Sequence, residues 1–353
     1  MKRRLIVLFI ILLAVSTFCI TASSANFPNK PINLIIEYKA GGGTDMIMRT
    51  IADAIARYTG WEVRATNMPG AVGSIATDFI YNKPADGYWV LGASNYNKAL
   101  RVMGYHESIP WKDWQHYKMA NSIQSFAVLP DSPIKTFKDL IELAKKDPGK
   151  IKISNSGIGG IWHEGVALVA NIADVKFIDV PYAGGAPATV ALLQNEVDVV
   201  ASGLHEQVEY IKAGKIRPLA VMAPEAINIE GYGLVPSIKE YLPELESYLP
   251  HGATYSLVIK RDTPVDILEK IEKAFIEASK DKSLQDLIKK RYFLLSVATG
   301  ANADKQAALA ESITSHLYWD IGIGEVNPNE LGIPKVTEFN NWWPPTDYEP
   351  ILK

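Results

Sequence analysis

Four glycine-rich turns, each between a strand pattern and a helix pattern, constrain the fold of this chain more than any other feature. They lie at residues 39–45, 67–73, 154–160 and 181–187. Alternation of short apolar strands with amphipathic helices predicts parallel sheets covered by helices. In such sheets the loops at the carboxyl ends of the strands line the ligand crevice. The pattern therefore predicts an α/β protein whose binding site is formed by these turns.

The chain has 353 residues, which is more than one ordinary core accommodates. Two strand patterns, at 126–129 and 254–260, are each followed by a similar polar turn with proline. We interpret them as paired hinge strands at which the chain leaves one lobe and returns to it. This interpretation predicts a discontinuous lobe 1 (26–126 plus 254–353) and a lobe 2 (127–253).

The first 25 residues have the pattern of a signal peptide rather than of a folded element. Basic residues at 2–4 precede an apolar run at 5–15, and small residues follow up to Ala25. A membrane span needs about 20 apolar residues, and this run is shorter. We expect cleavage after Ala25 and a periplasmic or other extracytoplasmic location.

Cys19 is the single cysteine of the chain. Exported lipoproteins carry a lipidated cysteine at this depth, but they place a small residue before it, where this chain has Phe18. We therefore expect ordinary cleavage rather than a lipid anchor. The mature protein would then contain no thiol and no disulfide.

The turn at 39–45 shows why such segments favour an anion. Its glycines expose backbone N–H groups, and the following helix is predicted to begin with Thr44 or Asp45 as its N-cap. Free donors and the positive end of the helix dipole together favour a carboxylate. A single turn of this kind could serve only to reverse the chain, but four in one chain favour a binding site. We expect a β-branched residue at Gly42 or Gly184 to abolish binding.

Charge and motifs exclude several classes of function. A formal net charge of −3 gives no basic surface for nucleic acid. Nucleophile-elbow, phosphate-loop and complete dinucleotide motifs do not occur. His163 and His205 each begin like a zinc-hydrolase motif, but Ala167 and Glu209 stand where the second histidine belongs. We expect no metal, no cofactor and no catalytic activity.

Together the turns resemble a known family. AGGGTD at 40–45, NMPGA at 67–71, ADGY at 85–88 and VPYAGGAPA at 180–188 resemble the substrate-binding proteins of tripartite tricarboxylate transporters, the TctC or Bug family. The likeness extends over about 27–333. It implies a periplasmic-binding-protein-like fold of type II, with a ligand cleft between two α/β lobes. It also implies a monomer that captures a small carboxylate and delivers it to transporter membrane subunits.

In that family one loop from each lobe holds a ligand carboxylate, largely through backbone amides and bridging waters. The resemblance and the turns together give the following candidate ligand-binding residues: Ala40, Gly41, Gly42, Gly43, Thr44, Asp45, Asn95, Ser156, Gly157, Gly159, Trp162, His163, Tyr182, Ala183, Gly184, Gly185, Ala186 and Pro187. For His163 a place on a helix face or behind the ligand-contacting residues stays an alternative.

Departures from the family pattern leave the acid open. Lys39 stands where a neutral residue is common and could contact an acidic ligand or face solvent. Ala183 replaces a frequent lysine, and Trp162 could stack on the ligand. A di- or tricarboxylate and an aromatic acid are both retained. Two other functions stay open: a sensor that presents the ligand to a membrane histidine kinase, and an exported hydrolase without an identifiable nucleophile–base pair.

Overall fold

The computed structural model describes residues 26–352. The predicted signal peptide (1–25) and Cys19 lie outside these residues. The strands are β1 (Ile32–Ile36), β2 (Val63–Asn67), β3 (Trp89–Ser94), β4 (Trp114–Asn121), β5 (Gln124–Val128), β6 (Lys152–Asn155), β7 (Ile178–Pro181), β8 (Val199–Gly203), β9 (Arg217–Val221), β10 (Ile227–Ile229), β11 (Gly233–Val235), β12 (Thr254–Lys260) and β13 (Leu294–Ala298). The helices are α1 (Gly43–Thr59), α2 (Ser74–Tyr81), α3 (Pro110–Asp113), α4 (Phe137–Lys146), α5 (Ile161–Ala173), α6 (Gly185–Leu193), α7 (Leu204–Lys212), α8 (Val265–Ala278), α9 (Lys282–Arg291), α10 (Gly300–Asp320) and α11 (Phe339–Trp342).

A six-stranded sheet has the order β13-β4-β12-β3-β1-β2. Strands β2, β1 and β3 are parallel, whereas β12, β4 and β13 continue the sheet in antiparallel pairs. Helix α1 covers this sheet. Its residues Ile47, Ile51 and Ile55 recur at helical spacing, so they lie on one face of the helix, and all three are buried. We call this sheet and its helices lobe 1.

A five-stranded sheet has the order β7-β6-β8-β5-β9. Strands β7, β6 and β8 are parallel, and β5 pairs antiparallel with both β8 and β9. Helix α4 covers it with Phe137, Leu140 and Ala144, all fully buried. We call this sheet and its helices lobe 2. Both sheets therefore contain the parallel β–turn–α units that the sequence predicts.

The prediction of paired hinge strands is wrong. Strand β5 lies wholly in the five-stranded sheet and β12 in the six-stranded sheet, and the two are not neighbours. Two segments at or just before the starts of these strands, 122–124 and 251–253, run side by side instead. Ser122 N–H donates to Ala253 O at 2.7 Å, and Gln124 N–H donates to His251 O at 2.9 Å. The residue boundaries predicted for the lobes stay a prediction.

The two lobes also share a buried ion pair. Lys98 Nζ, which follows β3, lies 2.9 Å from Glu164 Oε1 in α5. Thr314 in α10 donates to Glu164 Oε2 at 3.1 Å. Burial alone would raise the pKa of Glu164, but Lys98 and its other partners outweigh it and hold the pKa below its ordinary value. Lobe 1 therefore holds a charged side chain of lobe 2 in place.

The C-terminal segment packs on lobe 1. Trp342 and Trp343 meet Trp111 of α3 edge-on, with ring centroids 5.9 and 5.8 Å apart. Tyr348 donates to Asp304 of α10 at 2.9 Å. The aromatic tail thus extends the covering of this lobe, on α3 and α10.

Candidate ligand-binding site

A cavity of about 980 Å³ lies between the two sheets, at the carboxyl ends of their parallel strands. In lobe 1 its walls are residues 38–44 after β1, 69–72 after β2, and 94–95 at the end of β3. In lobe 2 they include 182–187 after β7 and 205–206 after β8. Loops at this edge of a parallel sheet are the usual place for a ligand.

Helices from both lobes begin at this cavity, and they share an unusual N-terminus. Each has glycine as its N-cap and no side-chain cap: Gly42 for α1, Gly160 for α5, Gly184 for α6 and Gly203 for α7. Their first-turn N–H groups have no intrahelical acceptor. Each helix thus directs its positive dipole end to one open cavity, which suits an anion, although Glu206 already accepts from Gly203 N–H at the start of α7.

The N-cap predicted for α1 is wrong. Gly42 occupies that position, so Thr44 and Asp45 lie in the first turn. Asp45 instead braces the loop: Gly41 N–H donates to Oδ2 at 2.9 Å, and Asn67 Nδ2 donates to Oδ1 at 2.9 Å. Arg49 Nε donates to Oδ1 at 2.7 Å.

Burial would raise the pKa of Asp45, but the donors around it and the Arg49 charge together lower it. The carboxylate therefore stays ionised and fixes the loop at 39–45 from behind. Asp45 does not line the cavity.

In the first loop, Gly43 is the residue whose backbone lies closest to side chains from other elements, Tyr255 and His205. A Cβ there would overlap the Tyr255 hydroxyl and lie 2.6 Å from His205 Nε2. A Cβ at Gly42 would only reach ordinary contact with Lys39 O, at 3.5 Å. The sequence predicts that a side chain at Gly42 would be excluded for lack of space, but the structure places this steric limit at Gly43.

The second loop, 181–187, is shaped differently. Gly184 has a φ of +122°, which side chains other than glycine rarely adopt. A Cβ at Gly185 would overlap the Glu206 carboxyl group and lie 2.6 Å from Trp162 Nε1. This loop therefore faces a carboxyl group, whereas the first loop faces a hydroxyl and a histidine.

Glu206 lies in the first turn of α7. Its Oε2 accepts from Gly203 N–H at 2.9 Å. Burial raises the pKa of Glu206 to about 7, although the Gly203 and Ala186 N–H groups act to lower it. Near neutral pH this carboxyl group exchanges readily between its neutral and ionised forms.

Aromatic side chains, Trp162 and His205, form another part of the cavity wall. Trp162 is 4% exposed, and its ring lies 6.2 Å from that of His205. His205 in turn lies 4.6 Å from Phe293 of lobe 1. Burial, with Arg291 nearby, lowers the pKa of His205 to about 3, so the ring is neutral.

Most of the predicted residues line this cavity: Ala40, Gly41, Gly42, Gly43, Thr44, Asn95, Ser156, Trp162, Tyr182, Ala183, Gly184, Gly185, Ala186 and Pro187. Besides Asp45, three others do not. Gly157 N–H donates to Asn155 Oδ1 at 2.9 Å, and Gly159 O accepts from Tyr318 at 3.0 Å. The loop backbone in these two cases is used for packing and turn formation.

His163 is buried in α5 and does not line the cavity. Burial lowers its pKa, while the charge of Asp179 acts in the opposite direction. Partial loss of hydration raises the pKa of Asp179, although its side chain is exposed and His163 and Asn155 act to lower the pKa. This position agrees with the alternative of a histidine behind the ligand-contacting residues.

Sequence reasoning missed several cavity residues, namely Tyr38, Ser94, His205, Glu206 and Tyr255. The sequence pattern indicates His205 only as the start of an incomplete zinc motif. The signal that could have found them is a fifth strand–glycine–helix unit, in which β8 ends at Gly203 and α7 follows at once.

The family model described as "Tripartite tricarboxylate transporter family receptor", TctC, matches residues 47–313. The chain belongs to the TctC family. This family consists of periplasmic solute-binding proteins rather than enzymes.

One relative is the "UPF0065 protein in gbd 5'region" of Cupriavidus necator. It is 30% identical over 261 residues, which cover 73% of this chain and 77% of the relative. A TctC solute-binding protein from Polaromonas is 27% identical, with a TM-score of 0.67, and the match covers 84% of this chain and all of that structure.

MatC from Rhodopseudomonas palustris, with bound malate, is 20% identical, with a TM-score of 0.73. That match covers 82% of this chain and 99% of MatC. At this identity MatC supports the fold alone.

Two further findings concern residues 26–352. No group of three or more histidine, cysteine, aspartate or glutamate side chains in this range is placed to hold a metal ion. Within the same range, no helix combines the length and apolarity that crossing a membrane requires.

Proposed function

We propose that this TctC-family protein captures a small carboxylate between its lobes and delivers it to the membrane subunits of a tripartite tricarboxylate transporter. The observation that carries the proposal is the meeting of four glycine-capped helix N-termini, from both lobes, at one cavity. Such N-termini stabilise an anion without a cationic side chain. Binding without turnover is supported by the family, which consists of substrate-binding proteins.

The residues that line the cavity limit which carboxylic acids could be the ligand. Backbone donors provide for one carboxylate, and the remaining walls include Trp162, Val72, Ile158 and Val190. MatC, with the same fold, holds malate. We propose a carboxylate with either a second carboxyl group or an aromatic body, since the volume accommodates both.

The proposed place of action is the periplasm, after export directed by residues 1–25. Lobe closure around the ligand would be a hinge motion at the side-by-side connections, 122–124 and 251–253. The protein would act as a monomer, since the loops of a single chain form the whole cavity.

The test is mass spectrometry of any small molecule that co-purifies with the protein, followed by a thermal-shift screen of mono-, di-, tri- and aromatic carboxylates. Ligand at ~100 times its Kd should stabilise the fold by ~2.7 kcal/mol. The screen should be backed by calorimetry, which is expected to give one ligand per chain. No stabilisation by any acid, or conversion of the acid into a product, would overturn the proposal.

A further inference from the structure

Glu206 occupies the place where the second loop would hold an anion. Its carboxyl group contacts Gly185 at the start of α6 and accepts from Gly203 N–H at the start of α7. The Ala186 N–H also favours its charge. Two helix N-termini thus converge on a carboxyl group of the protein itself.

The titratable groups nearest Glu206 are neutral. His205, beside it on α7, has a pKa lowered to about 3 by burial. Tyr255 of β12 has a pKa raised by burial, and the charge of Glu206 raises it further. Neither residue supplies a positive charge against which Glu206 could ionise.

The charged groups around this part of the site have other partners or lie at the rim. Arg291 of α9 lies 3.7 Å from Glu209 of α7. Glu196 accepts from the Tyr182 hydroxyl at 2.6 Å, and Lys39 is exposed at the cavity mouth. Among residues 26–352, no lysine, arginine or histidine forms an ion pair with Glu206.

A ligand carboxylate bound by both loops would therefore lie beside a second carboxyl group. Two carboxylates cannot both ionise at close range without a large cost, so such sites share a proton. The raised pKa of Glu206, about 7, makes its neutral form accessible under ordinary conditions. A neutral carboxyl group can also donate a hydrogen bond to the anion.

We propose that Glu206 is a ligand-binding residue that acts as a neutral carboxylic acid, so that the protein captures an anionic ligand together with one proton. The inference rests on the proposed function, because it requires an acid between the two loops. In the step itself, a proton from solvent joins the Glu206 carboxylate, and the resulting O–H donates to the ligand oxygen. No covalent bond to the ligand forms or breaks.

The experiment measures Kd by calorimetry from about pH 6 to about pH 9, with sodium benzoate, sodium malate and the tightest acid from the screen. Benzoate is ionised and malate almost fully ionised over this range, so a change in their Kd reports on the protein; the third acid is chosen with all its pKa values below about 5. The Kd should be flat below pH ~7 and rise about tenfold per pH unit above it, because one proton is taken up per ligand. At about pH 8.5, buffers of different ionisation enthalpy should report an uptake close to one proton.

The decisive variant is Glu206→Gln, which has the shape of the neutral acid but does not ionise. It should bind with a Kd that is independent of pH and close to the low-pH value of the wild type. Glu196→Gln is the matched control, since it removes the other cavity-lining carboxylate, and it should keep the tenfold slope.

The outcomes separate the two proposals. Binding with a flat wild-type profile, or a slope that persists in Glu206→Gln, overturns the role of Glu206 and leaves carboxylate capture standing. Absence of binding by every acid at every pH overturns both. Even if Glu206→Gln does not fold, the absence of proton uptake on ligand binding by the wild type would overturn the role of Glu206.

Discussion

The two loops that face each other across the cavity are built on opposite principles. The first loop, 39–45, is tied to its own lobe by Asp45, which holds Gly41, Asn67 and Arg49. The second loop, 181–187, is instead held at its Ala186 N–H by Glu206, a carboxyl group whose pKa burial raises to about 7. One loop is thus held rigid by a fixed negative charge behind it, and the other lies beside a charge that changes near neutral pH.

We expect the two loops to contribute to ligand binding in different ways. A braced loop keeps its amides aimed before the ligand arrives, which lowers the ordering cost of association. A loop beside a titrating carboxyl group responds to the charge of the molecule that enters. We expect substitutions in the first loop to act on affinity through geometry, and those in the second loop to act partly through protonation.

The largest effect is expected from Gly43→Val. Its side chain would overlap the Tyr255 hydroxyl and press on His205, so the loop would have to leave its position. We expect Kd to rise at least about 100-fold, which is ~2.8 kcal/mol of binding free energy. Calorimetry with the identified acid checks this, with Gly42→Ala as control, expected to change Kd less than about threefold. Equal losses in both variants would contradict the assignment of the close contact.

Gly185→Ala should cost less, about tenfold in Kd. The added methyl group meets the end of the Glu206 side chain, which can rotate, but the Trp162 indole lies 2.6 Å away and resists. The pH slope of binding should change with it, because Glu206 moves. A loss as large as that of Gly43→Val would show that the second loop is as rigid as the first.

Asp45→Asn should act on stability more than on affinity. We expect the free energy of unfolding to fall by about 1–2 kcal/mol at neutral pH, since a carboxylate bonded to several donors is replaced by a neutral amide. The pKa of Asp45 is lowered in the folded protein, so its stabilisation is present above the ordinary pKa and is lost as pH falls through the folded value.

Urea unfolding at neutral and acid pH measures this effect, and the difference between Asp45→Asn and wild type should shrink at acid pH. Asp53→Asn, exposed on the same helix, is the control and should stay within ~0.5 kcal/mol. A difference for Asp45→Asn that is independent of pH would mean that the brace is not electrostatic.

The smallest effect is expected from Lys39→Ala. Its ammonium group is exposed at the mouth, where water and salt screen it. Kd should rise by less than about threefold, and the difference should disappear in high salt. A tenfold loss that survives salt would instead give Lys39 a direct contact with the ligand.

Local sequence signals were sufficient for most of this fold. Strand–glycine–helix units predicted the parallel parts of both sheets, and four of the turns contribute to the cavity. The antiparallel pairing of β12 and the side-by-side connections were not predictable, because they join segments far apart in the chain. Nothing in a local pattern tells which distant strand is the neighbour.

Within the site, the sequence predicts which residues line the cavity better than it predicts which substitutions each position tolerates. The glycine at 43 and the one at 42 look alike in sequence, and only the positions of Tyr255 on β12 and His205 on α7 distinguish them. Likewise, the place of Glu206 in the site depends on its contact with the Gly185 backbone, which belongs to a different helix of lobe 2. Such constraints arise from packing across the cavity, so they appear only once the loops are brought together.

The glycine N-caps at the cavity have a consequence for the energy of the empty protein. Thr136 caps α4 and Asp281 caps α9 with their side chains, at sites away from the cavity. Glycine in that position forgoes a few tenths of a kcal/mol per helix. Four such helices leave the unliganded fold short of roughly 1 kcal/mol that ordinary capping residues would supply. In the proposed complex the ligand would supply the missing acceptor at the starts of α1 and α5, whereas Glu206 already accepts from Ala186 N–H of α6 and Gly203 N–H of α7.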